Sequence, residues 1–361
     1  MTRTVWMVLA GILVFAAWPR SAAGERPLIE LELEGRRLEG MPLAWSKSDA
    51  FLLARDGHLW NFRPGDATKP RKISDHFTSL SPNDMRGTLK AEFGKGFDVS
   101  GTGHYLVVHP RGERNEWAPR FEELYRNYMR YFTARGFEPT RPQFPLVAVV
   151  FRNEQDFLKY ASQSGTRLVP GTLGYYSPMT NRILLYDVTA GQRELPEWEM
   201  NAETIVHEAV HQMAFNTGVH SRYCPPPRWV AEGLGTVFEA RGVWNSKRFA
   251  QQSDRINRFR FEEFTKYAVR KHNGNSLAEL VSSDRIFQSD PRAAYAEAWA
   301  LSFFLFETQP RQYVKYLQAT AAHPQFTEQR GPERLQEFTR YFGEDLRQLD
   351  SRYLKFIASL K

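Results

Sequence analysis

Residues 204 to 215 read T-I-V-H-E-A-V-H-Q-M-A-F and place His207, Glu208 and His211 in the pattern H-E-x-x-H. Positions i and i+4 of a helix share one face, so both imidazoles can reach one ion. Imidazole nitrogen suits zinc, at a bond length of about 2.0–2.1 Å. Glu208, next to the first histidine, stands where a carboxylate could take a proton from water. Ile205, Val206, Ala209, Val210 and Met213 make the segment apolar on several sides, as a buried helix would be. Five residues do not make a metal site by themselves, so the chain must supply a third ligand.

Pro225-Pro226-Pro227 stops the chain, which restarts as R-W-V-A-E-G-L-G-T-V-F-E over 228–239. Glu232 falls in this apolar setting, where an unpaired carboxylate would be costly. Two histidines and one glutamate, with a fourth place left for water, form a catalytic zinc set. A surface carboxylate on an amphipathic helix is the bland alternative for Glu232. The competing scheme needs Gly at 214 and His at 217, and the chain has Ala214 and Thr217. His220 is a weaker candidate for third ligand. Cys224 is the only cysteine, which excludes a thiolate zinc site and an internal disulfide and leaves a partly buried thiol.

The elements that must position these residues fall into three stretches. Residues 27–63 alternate or pair like strands, through L-I-E-L-E-L-E and a hairpin signal at Asp56-Gly57. Ser81-Pro82 opens a short helix that Gly94 closes. From residue 96 the pattern becomes strand, helix, strand, helix, hairpin: G-F-D-V-S, H-Y-L-V-V-H-P, a helix over 116–135, F-P-L-V-A-V-V-F, a helix over 154–163, then G-Y-Y-S-P and R-I-L-L-Y. That order predicts a mixed sheet packed against helices. Beyond residue 200 the spacing predicts helices at 202–216, 227–240, 255–271, 292–307, 310–321 and 332–359, the last broken near Gly343. The fold class is therefore α+β. A small β-rich module spans 24–95; a second domain spans 96–361, mixed over 96–200 and helical over 201–361. His104 and His109 lie in a strand region and read as core or surface histidines.

The first 23 residues read as an export signal. Arg3 precedes the apolar run from Val5 to Ala17, and Ser21-Ala22-Ala23 offers small residues before Gly24. An uncleaved anchor is the alternative. After cleavage no stable membrane span is expected, and the protein would be periplasmic or extracellular. The net charge of +7 is spread without a run of like charges, and no nucleic-acid motif appears. At 361 residues, with 42% hydrophobic content, the chain can bury a large core without staples. Oligomeric state has no signature in the sequence.

H-E-A-V-H followed by W-V-A-E-G-L-G-T-V-F-E resembles the gluzincin metallopeptidases of the peptidase-MA-like clan. More narrowly, it resembles an exported bacterial domain-of-unknown-function family in that clan, over about residues 95–310. The resemblance implies a zincin-like domain around the H-E-x-x-H helix and Zn2+ bound by His207, His211 and Glu232. It implies Glu208 as general base and Glu239 as support for a ligand. Tyr295, opening Y-A-E-A-W-A-L, matches a tyrosine that stabilises the oxyanion. The implied substrate is a peptide or protein. The chain lacks a clear G-x-M-E-N stretch, so aminopeptidase specificity is not implied. A non-catalytic binding module of the cell envelope and a zinc hydrolase of a non-peptide substrate are the alternatives.

Overall fold

A computed structural model describes residues 27–112, 117–168, 171–188 and 197–360, and leaves the side chains of 197–201 undescribed. The expected export segment, 1–23, lies outside the described residues.

The first sheet is antiparallel, in the order β4-β3-β2-β1-β5. Its strands are β1 (Leu28–Leu33), β2 (Arg36–Trp45), β3 (Ala50–Ala54), β4 (Leu59–Phe62) and β5 (Ala67–Ser74). Ile29, Leu31 and Leu33 bury against Leu52 and Phe62, while Glu30 and Glu32 pair with Arg71 and Lys69 on the outer face. Period-two alternation in β1 thus produces one dry face and one charged face. The β3–β4 hairpin turns at Gly57, whose φ of +89° favours glycine.

The second sheet is mixed and runs β6-β7-β8-β10-β9. It comprises β6 (Phe97–Gly101), β7 (Tyr105–Pro110), β8 (Leu146–Phe151), β9 (Gly174–Ser177) and β10 (Arg182–Tyr186). β8 lies parallel to both β7 and β10; the outer pairs are antiparallel. All six residues of β8 are buried, as a central strand covered on both faces must be. Val147, Val149 and Phe151 face one layer with Met85, Leu89 and Phe157. That layer is α1 (Pro82–Phe93) and α3 (Glu154–Gln163). Leu146, Ala148 and Val150 face the main core. There lie α2 (Trp117–Thr133), α4 (Glu197–Asn216) and α5 (Arg228–Phe238).

The remaining helices are α6 (Arg241–Trp244), α7 (Arg258–Glu263), α8 (Val269–Lys271), α9 (Ser276–Ser282), α10 (Ile286–Ser289), α11 (Pro291–Thr308), α12 (Pro310–Ala321), α13 (Gly331–Phe342) and α14 (Leu346–Ser359). The helix expected over 255–271 is divided, because Phe264–Ala268 adopts a π-turn between α7 and α8. Among the described residues, no helix is long and apolar enough to cross a membrane.

Helix α14 is fastened by a buried ionic group. His272 Nδ1 lies 2.9 Å from Glu297 of α11, and its Nε2 lies 2.8 Å from Asp350 of α14. Burial pushes the His272 imidazole down, but the two carboxylates more than offset this, and its pKa is pushed up to about 9. A group raised on folding contributes most below its unfolded value, and the contribution is lost as pH rises through the folded value. Relative to a His272→Gln variant, the parent's stability advantage should be full below about pH 6.5 and shrink toward pH 9. Thermal melts of both proteins from pH 6 to 10 check this; a gap that stays flat or widens contradicts it.

Candidate metal centre

Helix α4 lies under β9 and β10 with Ile205, Val206, Ala209, Val210 and Met213 buried. Gln212 is wholly buried, and its amide donates to the Val147 carbonyl at 3.0 Å and to the Asn181 carbonyl at 2.8 Å. These two bonds tie α4 to β8 and to the β9–β10 turn, which fixes the helix that carries His207 and His211. Helix α5 crosses α4 and presents Glu232.

The three side chains meet. His207 Nε2 is 3.0 Å from His211 Nε2, and Glu232 Oε2 is 3.2 Å from the first and 3.4 Å from the second. The ligand atoms of these residues all lie within 4.8 Å of one another, with each side chain only 12–13% exposed. A tetrahedral ion with bonds of about 2.0–2.1 Å would hold its ligand atoms about 3.3–3.4 Å apart. The observed spacings reach that value at their upper end and fall at most 0.3–0.4 Å short of it.

The hydrogen-bond chemistry points the same way. His207 Nδ1 lies 2.8 Å from Glu239 Oε1, a carboxylate that can only accept, so Nδ1 carries the hydrogen. In the neutral ring the Nε2 lone pair then faces His211 and Glu232. Three electron-rich atoms facing one point need positive charge there. Burial pushes the His207 imidazole down, but Glu232 and Glu239 outweigh it and hold the pKa well above the usual range. Burial raises the Glu232 carboxyl, and His207 and His211 outweigh it in the opposite direction. The donor set of two nitrogens and one carboxylate oxygen therefore fits zinc.

Glu208, the neighbour of His207, points toward the sheet. Its Oε2 accepts the backbone N–H of Tyr176 in β9 at 2.6 Å. Tyr295 of α11 is half-buried, with its ring centroid 6.5 Å from that of His207. Burial, and then Glu232, push its hydroxyl pKa up, so it is a neutral donor near pH 7. His220 does not join the cluster: it is buried, and its Nδ1 faces the Val219 carbonyl at 2.9 Å. His104 instead contacts Glu122 at 2.9 Å, and His109 is buried beside the Pro110 carbonyl.

Several residues here carry no sequence signal. Asn257 is buried and donates to Glu239 Oε2 at 2.6 Å and to the Thr236 carbonyl at 2.9 Å. Arg260 Nε lies 3.9 Å from the same carboxylate oxygen. Arg228 Nε lies 3.5 Å from Glu232 Oε1. The i,i+4 offset of Arg228 and Glu232 on one helix was available in the sequence. The partnership of Asn257 with Glu239 was not, because it joins two different helices. An open hollow of about 450 Å³ on the α2 surface, lined by Arg126, Arg130 and Lys247, holds none of the cluster residues.

Two glycines of α5 govern this geometry. A Cβ at Gly235 would stand 2.7 Å from His207 Cε1, whereas one at Gly233 would stand 2.5 Å from the Ala298 carbonyl of α11. Either alanine would gain about 1 kcal/mol of helix propensity. Contacts below 3 Å outweigh that, since overpacking costs about 1–3 kcal/mol. Gly235→Ala should displace the His207 ring and weaken zinc binding at least about tenfold. Gly233→Ala should push α5 from α11 and lower the melting temperature by several degrees. Calorimetry on both metal-free variants, with zinc titrations, separates the two. Equal zinc affinity in parent and Gly235→Ala would refute the contact as a constraint.

No curated protein matches the chain. Residues 201–327, which run from α4 through α12 and hold His207, His211, Glu232, Glu239 and Tyr295, match the family described as "Protein of unknown function (DUF1570)".

Proposed function

We propose that the chain is an exported zinc-dependent hydrolase of the gluzincin type that cleaves peptide bonds. The observation that carries this reading is the convergence of His207 Nε2, His211 Nε2 and Glu232 Oε2, at mutual distances of 3.0–3.4 Å, with the carboxylate of Glu208, the neighbour of His207, taking no part in it. Those three residues would hold the ion. Zinc in such a site supplies Lewis acidity toward a carbonyl and toward water.

The chain's own groups do the rest. Glu208 is held by one oxygen at the Tyr176 N–H, which leaves the other to accept a proton from water. The same carboxyl can then deliver that proton to the leaving amine. A structural zinc needs no such carboxylate, which favours an enzyme over a binding module. Tyr295 would donate its hydroxyl hydrogen to the oxygen that gains charge during attack. Strand β9 ends the second sheet, so its outer side can pair with an extended peptide and set the scissile bond beside Glu208.

Three substitutions separate these roles. Glu208→Gln should keep zinc and lose hydrolysis by about 10²–10⁴-fold or more, because it keeps shape but removes the base. His211→Ala should lose the metal. Tyr295→Phe should retain zinc and slow turnover by roughly 10–10³-fold with little change in KM. Metal analysis with a peptide-library digest of each protein reads all three. Hydrolysis by zinc-loaded Glu208→Gln at the parental rate would end the enzymatic reading and leave the binding module in its place.

A further inference from the structure

We propose that Arg228 is a positioning residue that divides the two oxygens of Glu232, so that only Oε2 is presented to the ion. The proposal rests on the zinc-site reading given above.

Arg228 opens α5 directly after Pro227. A cation at a helix N-terminus opposes the macrodipole, and the first turn of α5 holds no acidic residue to offset it. Its backbone N–H is satisfied by Asp284 Oδ1 at 3.1 Å, so the side chain is not needed as a cap. That side chain is only 15% exposed. Its guanidinium carbon sits 4.7 Å from the centre of the Phe287 ring, which fixes its plane.

The functional clue is what the guanidinium faces. Arg228 Nε lies 3.5 Å from Glu232 Oε1, while Oε2 faces His207 at 3.2 Å and His211 at 3.4 Å. At that distance Nε makes an ion pair but no close hydrogen bond, and it has no other hydrogen-bond partner. The contact therefore orients Glu232 without neutralising it. The Arg228 guanidinium also acts on the Tyr295 hydroxyl, lowering its pKa against the larger opposing effect of burial. A planar fork can serve two acceptors at once, which a lysine ammonium does less well.

Two opposing effects bear on zinc affinity. A cation near the ion repels it, whereas a partner that orients a ligand strengthens binding by about 10–100-fold. The division of the oxygens implies that orientation wins. Competition with a chromophoric chelator should therefore find Arg228→Met about tenfold weaker for zinc, and Arg228→Lys intermediate. Methionine keeps the apolar stem over Phe287, and the melting temperature of the metal-free variant checks folding. In a Glu232→Ala background, Arg228→Met should change affinity by less than about twofold, because the carboxylate it orients is gone. Equal or tighter zinc binding by Arg228→Met overturns the proposal. So does an equal loss in both backgrounds. Failure of the parent chain to bind zinc would instead remove the metal site itself, and this inference with it.

Discussion

The molecule is organised around a patch of buried negative charge that cannot stand alone. Glu232 and Glu239 are each about 11–12% exposed and lie on either side of His207. Two carboxylates at that depth need matching positive charge. One is served by the His207 Nδ1 hydrogen, Asn257 and the more distant Arg260. The other faces the two imidazole nitrogens of His207 and His211 at the centre of the cluster. Everything that brings α4, α5 and α7 together bears on where that centre falls. The close α5–α11 approach at Gly233 sets the height of Glu232, and Gln212 sets the height of the two histidines.

Much of this arrangement was legible in the sequence, for a physical reason. Residues at i and i+4 share one helix face, so the approach of His207 to His211 needed no tertiary information. Glu232 was legible because the proline run forces a restart and an apolar helix cannot hide a lone carboxylate. The mixed sheet was legible through the unbroken apolar run of β8. What stayed hidden were contacts between elements. Asn257 falls inside the helix expected over 255–271, yet it caps α7, accepting from Arg260 N at 3.1 Å, and its amide holds Glu239. Strand β5 was missed because A-T-K-P-R-K-I-S has almost no buried side chain; it is an edge strand, protected by charge and proline rather than marked by alternation.

The N-terminal sheet is joined to the second sheet near the candidate site. Leu59 of β4 donates its N–H to the Met179 carbonyl at 2.7 Å, and Arg222 bridges the carbonyls of Gly57 and Pro178. Phe51 stacks on Phe326 at 4.1 Å. The β9–β10 turn is thus gripped from both sides, by β4 and by the loop after α4. The turn that follows β9 is thereby fixed, two residues on from the Tyr176 N–H that meets Glu208.

The bond from Tyr176 to Glu208 has a further meaning, because its donor is main chain. Any residue except proline at position 176 supplies the same N–H, so the identity of the side chain there is under no pressure from the carboxylate. Drift at 176 among relatives would leave the anchor intact, and a scan of single substitutions would pass over it. What such a scan would feel is the register of β9 on β10, since a slip of one residue turns the donor away from the helix. The orientation of Glu208 is thus stored in strand pairing, and side-chain comparison alone would not reveal it.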